Sequence, residues 1–280
     1  MKLKLRKDNR KEISDAKTVS METDDKEGLV GDIVMRGRSS IIGARKNQQD
    51  ACFTDQIRTD CTIGIVCDGM GGLEDGATAS KTAIEYVAGR MCEIDDITEI
   101  NEILEMIAED ADEIVADLKD DTGRNVNAGT TLAAVMITGN HLHWVSVGDS
   151  KIFILRNGAL QCVTDQHNYR FMAEKRKNRR GFVFDPNVRQ DALVSYIGAG
   201  GLPYIDISPD DVILGDRDMV LICSDGLYNA LPEPQIREIM LEDKQTVSEI
   251  AHRLTSEVSA KKLRGQDNAT AVVLQYRNKL

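Results

Sequence analysis

No stretch of this chain is apolar for long enough to cross a bilayer: the longest apolar run, LAAVMI at 132–137, is far short of the roughly 20 residues a spanning helix needs. The positively charged start, MKLKLRKDNRKEISD, is not followed by the apolar segment of a secretory leader. The six cysteines (Cys52, Cys61, Cys67, Cys92, Cys162 and Cys223) include no C-x-x-C pair, so neither a zinc framework nor a disulfide scaffold is expected. Cys67 and Cys223 end apolar runs and read as small core residues. Positive charge is also in deficit, with a formal net charge of -11, which argues against nucleic acid or an anionic membrane as partner. These absences together predict a soluble, cytoplasmic protein with reduced thiols.

What the chain does have is enough apolar material, 41% of 280 residues, to bury one sizeable core. Residues 1–31 are charged and aperiodic and read as a flexible extension, leaving 32–280 as a single domain. Short apolar runs bounded by turn residues predict strands at 62–67, 130–138, 141–147, 151–155, 219–223 and 269–274. Turn chemistry at Gly139-Asn140 and Asn157-Gly158 makes the neighbouring strands antiparallel. Apolar positions at helical spacing predict two helices across 76–119 and another through Val247, Ile250, Leu254 and Val258. Helices in blocks between runs of strands indicate an α+β layer architecture.

Four aspartates fall where predicted strands end or begin: Asp68 after TIGIVC, Asp149 after WVSVG, Asp225 after MVLICS, and Asp267 before ATAVVL. In an antiparallel sheet such positions share a rim. Clustered carboxylates need a counter-charge to stay ionised, and an all-oxygen donor set without His or Cys suits Mg²⁺ or Mn²⁺. Any one Asp-Gly pair is ordinarily just a turn. The joint pattern, with Gly69, Gly71 and Gly72 allowing backbone to approach a ligand closely, points to a site.

Six ordered segments, GARKNQQDA (43–51), VCDGMGG (66–72), GTTLAAV (129–135), VGDSKIFILRNG (147–158), ICSDGLYNAL (222–231) and DNATAVV (267–273), resemble the type 2C (PPM) metal-dependent protein serine/threonine phosphatases. The resemblance implies a central sandwich of two antiparallel sheets flanked by helices. It also implies hydrolysis of phosphoserine and phosphothreonine in proteins phosphorylated by a serine/threonine kinase. The nucleophile would be a hydroxide bridging two Mn²⁺ or Mg²⁺ ions. By motif position, Asp68 bridges the metals, the Gly69 carbonyl binds one of them, and Asp225 with Asp267 completes the other. Asp50 accepts hydrogen bonds from metal-bound water, Arg45 grips phosphate, and Asp149 holds a third, weaker metal. GTTLAAV reads as a core strand, and KRKNRRG (175–181) as a loop where the family carries a variable flap.

Several positions depart from the family pattern. Gln49 replaces a common Glu, Met70 a histidine thought to protonate the leaving group, and Asn229 an acidic residue; TDQH (164–167) departs from T-x-D-H, and His167 reads as a packing or turn residue. These departures support an alternative, a catalytically silent relative that binds phosphoproteins. Against it stands the retention of Asp68, Asp225 and Asp267.

Overall fold

The computed structural model describes residues 33–278 apart from 73–74, 121, 180, 211 and 243–244; the expected extension at 1–31 lies outside these. The first half runs β1 (Ile33–Ile41), β2 (Asp50–Arg58), β3 (Cys61–Gly71), α1 (Asp75–Cys92), α2 (Ile100–Ala116), β4 (Ala128–Thr130), β5 (Leu132–Thr138) and β6 (His141–Val147). The second half runs β7 (Lys151–Arg156), β8 (Ala159–Cys162), α3 (Tyr169–Arg176), β9 (Asp206–Ile207), β10 (Met219–Cys223), α4 (Asp225–Tyr228), α5 (Glu233–Met240), α6 (Val247–Ala260) and β11 (Ala269–Arg277).

Two antiparallel sheets result, ordered β1-β11-β10-β7-β8 and β2-β3-β5-β6-β9, with β4 added to β3. Side chains alternate across each strand. Ile63, Ile65 and Cys67 of β3 pack with α1 and α2, while Val66 enters the layer between the sheets with Val135, Ile222 and Val272. On the other sheet, Leu221, Cys223 and Val273 turn outward to meet Ile236 of α5 and Leu254 of α6. The layers are therefore helix, sheet, sheet, helix, as the resemblance implies. Each fully buried aliphatic side chain such as Ile65 or Leu254 contributes roughly 1.5–3 kcal/mol. Gly64 brings the sheets close: a Cβ there would lie 3.0–3.2 Å from side-chain atoms of Ile222, Leu274 and Val272.

Local rules explain the element ends. Gly139 (φ 57°) closes the β5–β6 hairpin, and Asn157 (φ 50°) with Gly158 (φ 75°) closes β7–β8, both left-handed positions of the kind such turns demand. A reciprocal capping box between Thr246 and Glu249 starts α6. Among the described residues, no helix is long and apolar enough to cross a membrane.

Three expectations need correction. Asp68 lies inside β3 rather than after it, because pairing with β4 carries the strand on to Gly71. The run at 130–138 is broken at Thr131, where the chain leaves the Gly69–Gly71 edge and rejoins β3 further along. The basic segment at 175–181 is helical at its start, since α3 extends to Arg176 from an N-cap in which Asn168 accepts from the Phe171 N–H.

Candidate metal centre

Asp50 opens β2 and Asp68 faces it directly on β3. Both share strand parity with the residues between the sheets, Cys52 and Val66, so both carboxyls point to that layer's rim. The second sheet holds Asp50 from the other side. Its Oδ2 accepts from Ser224 Oγ and Thr270 Oγ1, each at 2.7 Å, while its buried Oδ1 has no hydrogen-bond partner. Asp68 is fixed by its backbone: its N–H donates to Thr131 Oγ1 at 2.9 Å and its carbonyl accepts from the Thr131 N–H at 2.9 Å. Gly69 is pinned by the same close packing, its N–H donating to the Gln49 carbonyl at 3.1 Å. A Cβ on Gly69 would lie 2.1 Å from the Gly76 carbonyl oxygen.

Asp225 is the first residue of α4, immediately after β10 and Ser224, and Asn229 Nδ2 donates to its Oδ2 at 3.2 Å. Asp267 precedes β11, and its Oδ2 accepts from the Arg45 guanidinium at 2.5 Å. Asn268 ties this corner together. Its Nδ2 donates to the carbonyls of Ile42 (2.8 Å) and Asn47 (3.2 Å), and its Oδ1 accepts from the Gln49 N–H (2.8 Å). The 42–49 loop that carries Arg45 is thus bound to the start of β11.

Asp149 lies in the β6–β7 turn. Its carbonyl accepts from Tyr228 Oη at 2.9 Å, and Gln166 Nε2 donates to the same phenol at 3.0 Å. His167 is buried and structural, as expected: its Nδ1 accepts from the Gly148 N–H at 3.2 Å and its own N–H donates to the Gly148 carbonyl. Met70 pairs with Gly129 across β3 and β4.

The five carboxyls act on one another. Burial, then Asp50, Asp225, Asp149 and Asp267 in that order, pushes Asp68 well above the usual carboxylate range. Burial raises Asp50 to about 6 against the opposing hydroxyl bonds from Thr270 and Ser224. Burial and then Asp225 raise Asp149 to about 7. Burial and then Asp267 raise Asp225, opposed by a hydrogen bond to Asp68. Carboxyls this close and this buried repel one another, which is why every shift in the group is upward.

The sequence-derived residues Asp50, Asp68, Asp149, Asp225 and Asp267 are therefore neighbours, with Arg45 and Gly69 on the same rim. Among the described residues, no three acidic, His or Cys side chains already converge as a metal cage. The Asp267 carboxyl is instead engaged by the Arg45 guanidinium. The donors nevertheless suit a hard divalent cation: they are all oxygens, and they include the orphaned Asp50 Oδ1. Ser224, Thr270 and Asn268 lie within the recognised segments but were not singled out, since their roles depend on contacts between the sheets.

The Protein phosphatase 2C family model matches residues 36–266. The serine/threonine phosphatase Stp of Listeria monocytogenes is 28% identical over 236 residues, covering 82% of this chain and 91% of that protein. The Streptococcus agalactiae serine/threonine phosphatase structure superposes with a TM-score of 0.74 at 24% identity, covering 86% of this chain and 99% of that one. The catalytic domain of the serine/threonine protein phosphatase PstP, solved with 2 manganese ions, gives a TM-score of 0.66 at 23% identity, covering 88% and 100%.

Proposed function

The chain belongs to the protein phosphatase 2C family, and on that premise we propose that it is a protein serine/threonine phosphatase acting through a binuclear Mn²⁺ or Mg²⁺ centre. The observation that carries this reading is the mutual burial of Asp68 with Asp50, Asp149, Asp225 and Asp267 on one rim. The named relative Stp, and the manganese ions in the PstP catalytic domain, support it. Residues 32–280 form the catalytic domain in this reading, in keeping with the family match over 36–266.

Asp68, the Gly69 carbonyl, Asp225 and Asp267 would hold the two ions, and Asp149 a third, weaker one. Bound there, divalent ions lower the pKa of a water and neutralise charge that builds on the phosphoryl group. Asp50 Oδ1 is free to accept from that water and orient it, since Ser224 and Thr270 occupy only Oδ2. Arg45, half exposed, can turn its planar fork from Asp267 to phosphate oxygens. With Met70 in place of a histidine, position 70 offers no proton to the leaving group. The substrates are phosphoproteins made by a serine/threonine kinase.

Hydrolysis of p-nitrophenyl phosphate tests the reading: turnover should require Mn²⁺ or Mg²⁺ and vanish with EDTA. No turnover with any divalent cation would favour a silent, phosphoprotein-binding relative instead.

A further inference from the structure

Beside the acidic rim lies a second cavity, of about 300 Å³, that the proposed chemistry does not use. One wall is α3 and the turn after it, carrying Phe171, Lys175, Arg176 and Arg179; the other is Tyr204 to Asp206. Its floor is an aromatic cluster in which the Phe171 and Tyr204 rings meet edge to face at 5.2 Å and both pack on His167. The turn 165–167 joins this cavity to the acidic rim, because Gln166 bonds Tyr228, which bonds the Asp149 carbonyl.

Charge in the cavity is unbalanced. Lys175 faces Asp165 at 3.6 Å, and Asp206 accepts from the Asp165 N–H at 2.5 Å. Neither Arg176 nor Arg179 has a carboxylate within ion-pair distance among the described residues, and the buried Arg176 Nε has no hydrogen-bond partner. The ring of His167, only 1% exposed, leaves Nε2 without a hydrogen bond, 3.6 Å from Asp206 Oδ1. A cavity lined by an unsatisfied guanidinium N–H and a second guanidinium without a carboxylate partner is suited to an oxyanion.

We propose that this cavity is a phosphoryl subsite which takes a second phosphorylated residue of the substrate polypeptide, held by Arg176 and Arg179. It rests on the phosphatase reading for its role in selecting substrates, though not for its binding. The apolar floor receives the stem of that residue, and the two forks receive its oxygens. Phosphoproteins modified at two nearby positions would be preferred over singly modified ones.

The test uses the full chain and the double variant Arg176→Gln/Arg179→Gln. One phosphothreonine peptide is compared with versions in which a phosphoserine, or a glutamate, is walked along its flanks. At the matching spacing the wild type should show a KM about tenfold lower for the doubly phosphorylated peptide, the ratio given by about 1.4 kcal/mol of binding. The double variant should lose that preference while p-nitrophenyl phosphate turnover stays at the wild-type rate, which also reports correct folding. Absence of a preference at every spacing, or its survival in the double variant, would overturn the subsite. A glutamate peptide matching the phosphoserine peptide would overturn the assignment to phosphoryl groups. If the wild type turns over no phosphoester, calorimetric titration with the same peptides still reads the subsite and expects the same tenfold contrast.

Discussion

Asp50 and Asp68 stand directly opposite each other on neighbouring antiparallel strands, the closest placement a sheet gives two side chains on one face. Like charges so placed are destabilising, and burial compounds the cost. The folded protein therefore binds protons that the unfolded chain, with ordinary carboxyls near 3.8, releases. Stability from this source is complete below about pH 4 and is lost as pH rises through about 6 for Asp50 and about 7 for Asp149. In EDTA, Asp50→Asn should be more stable than wild type at pH 8, by about 3 kcal/mol at most. The gap should close near pH 4, as thermal unfolding across the pH range would show. Mn²⁺ should stabilise the wild type most at the alkaline end.

In the proposed reading Arg45 offers a paired fork to phosphate, which Lys cannot reproduce. Arg45→Ala should lower kcat/KM for phosphoesters about 10–150-fold, the worth of a charge-assisted contact of about 1.5–3 kcal/mol. Most of the loss should appear in KM, measured by steady-state kinetics on p-nitrophenyl phosphate.

Asn268 supplies three bonds that bind the 42–49 loop to β11. Asn268→Ala should cost about 2–3 kcal/mol, because it removes three part-buried hydrogen bonds to Ile42, Asn47 and Gln49. Denaturant unfolding would read that loss, and activity should fall with it because Arg45 rides on the same loop.

Two glycine replacements should diverge. A Cβ on Gly226 would lie 1.9 Å from the Asn268 carbonyl oxygen, so Gly226→Ala must displace α4 from β11 and should sharply lower the yield of folded protein. Gly89, inside α1, has open space around it, and Gly89→Ala should stabilise by about 0.5–1 kcal/mol. Expression yield and Tm distinguish the two.

The sandwich core was legible wherever large apolar residues are dense between turn signals, as in HLHWVSV and MVLIC, whose strands begin and end where the pattern does. β1 (IVMRGRSSI) and β2 (DACFTDQIR) were not legible, because polar and charged residues interrupt both patterns. The acidic neighbours could be picked out because aspartates at strand junctions need a reason to gather. What positions them could not: Ser224, Thr270 and Asn268 are small polar residues whose importance comes from pairing across two sheets, and no local pattern marks that. His167 was read correctly as a packing residue, its imidazole holding the turn that carries Asp149.

Mn²⁺ binding, measured by calorimetry on the wild type, Asp68→Asn and Asp225→Asn, bears most directly on whether these carboxyls form a metal centre. Saturable binding by the wild type at neutral pH, lost or weakened by at least about tenfold in both folded variants together with phosphoester turnover, is the predicted result. An unchanged binding isotherm in both variants would contradict the account.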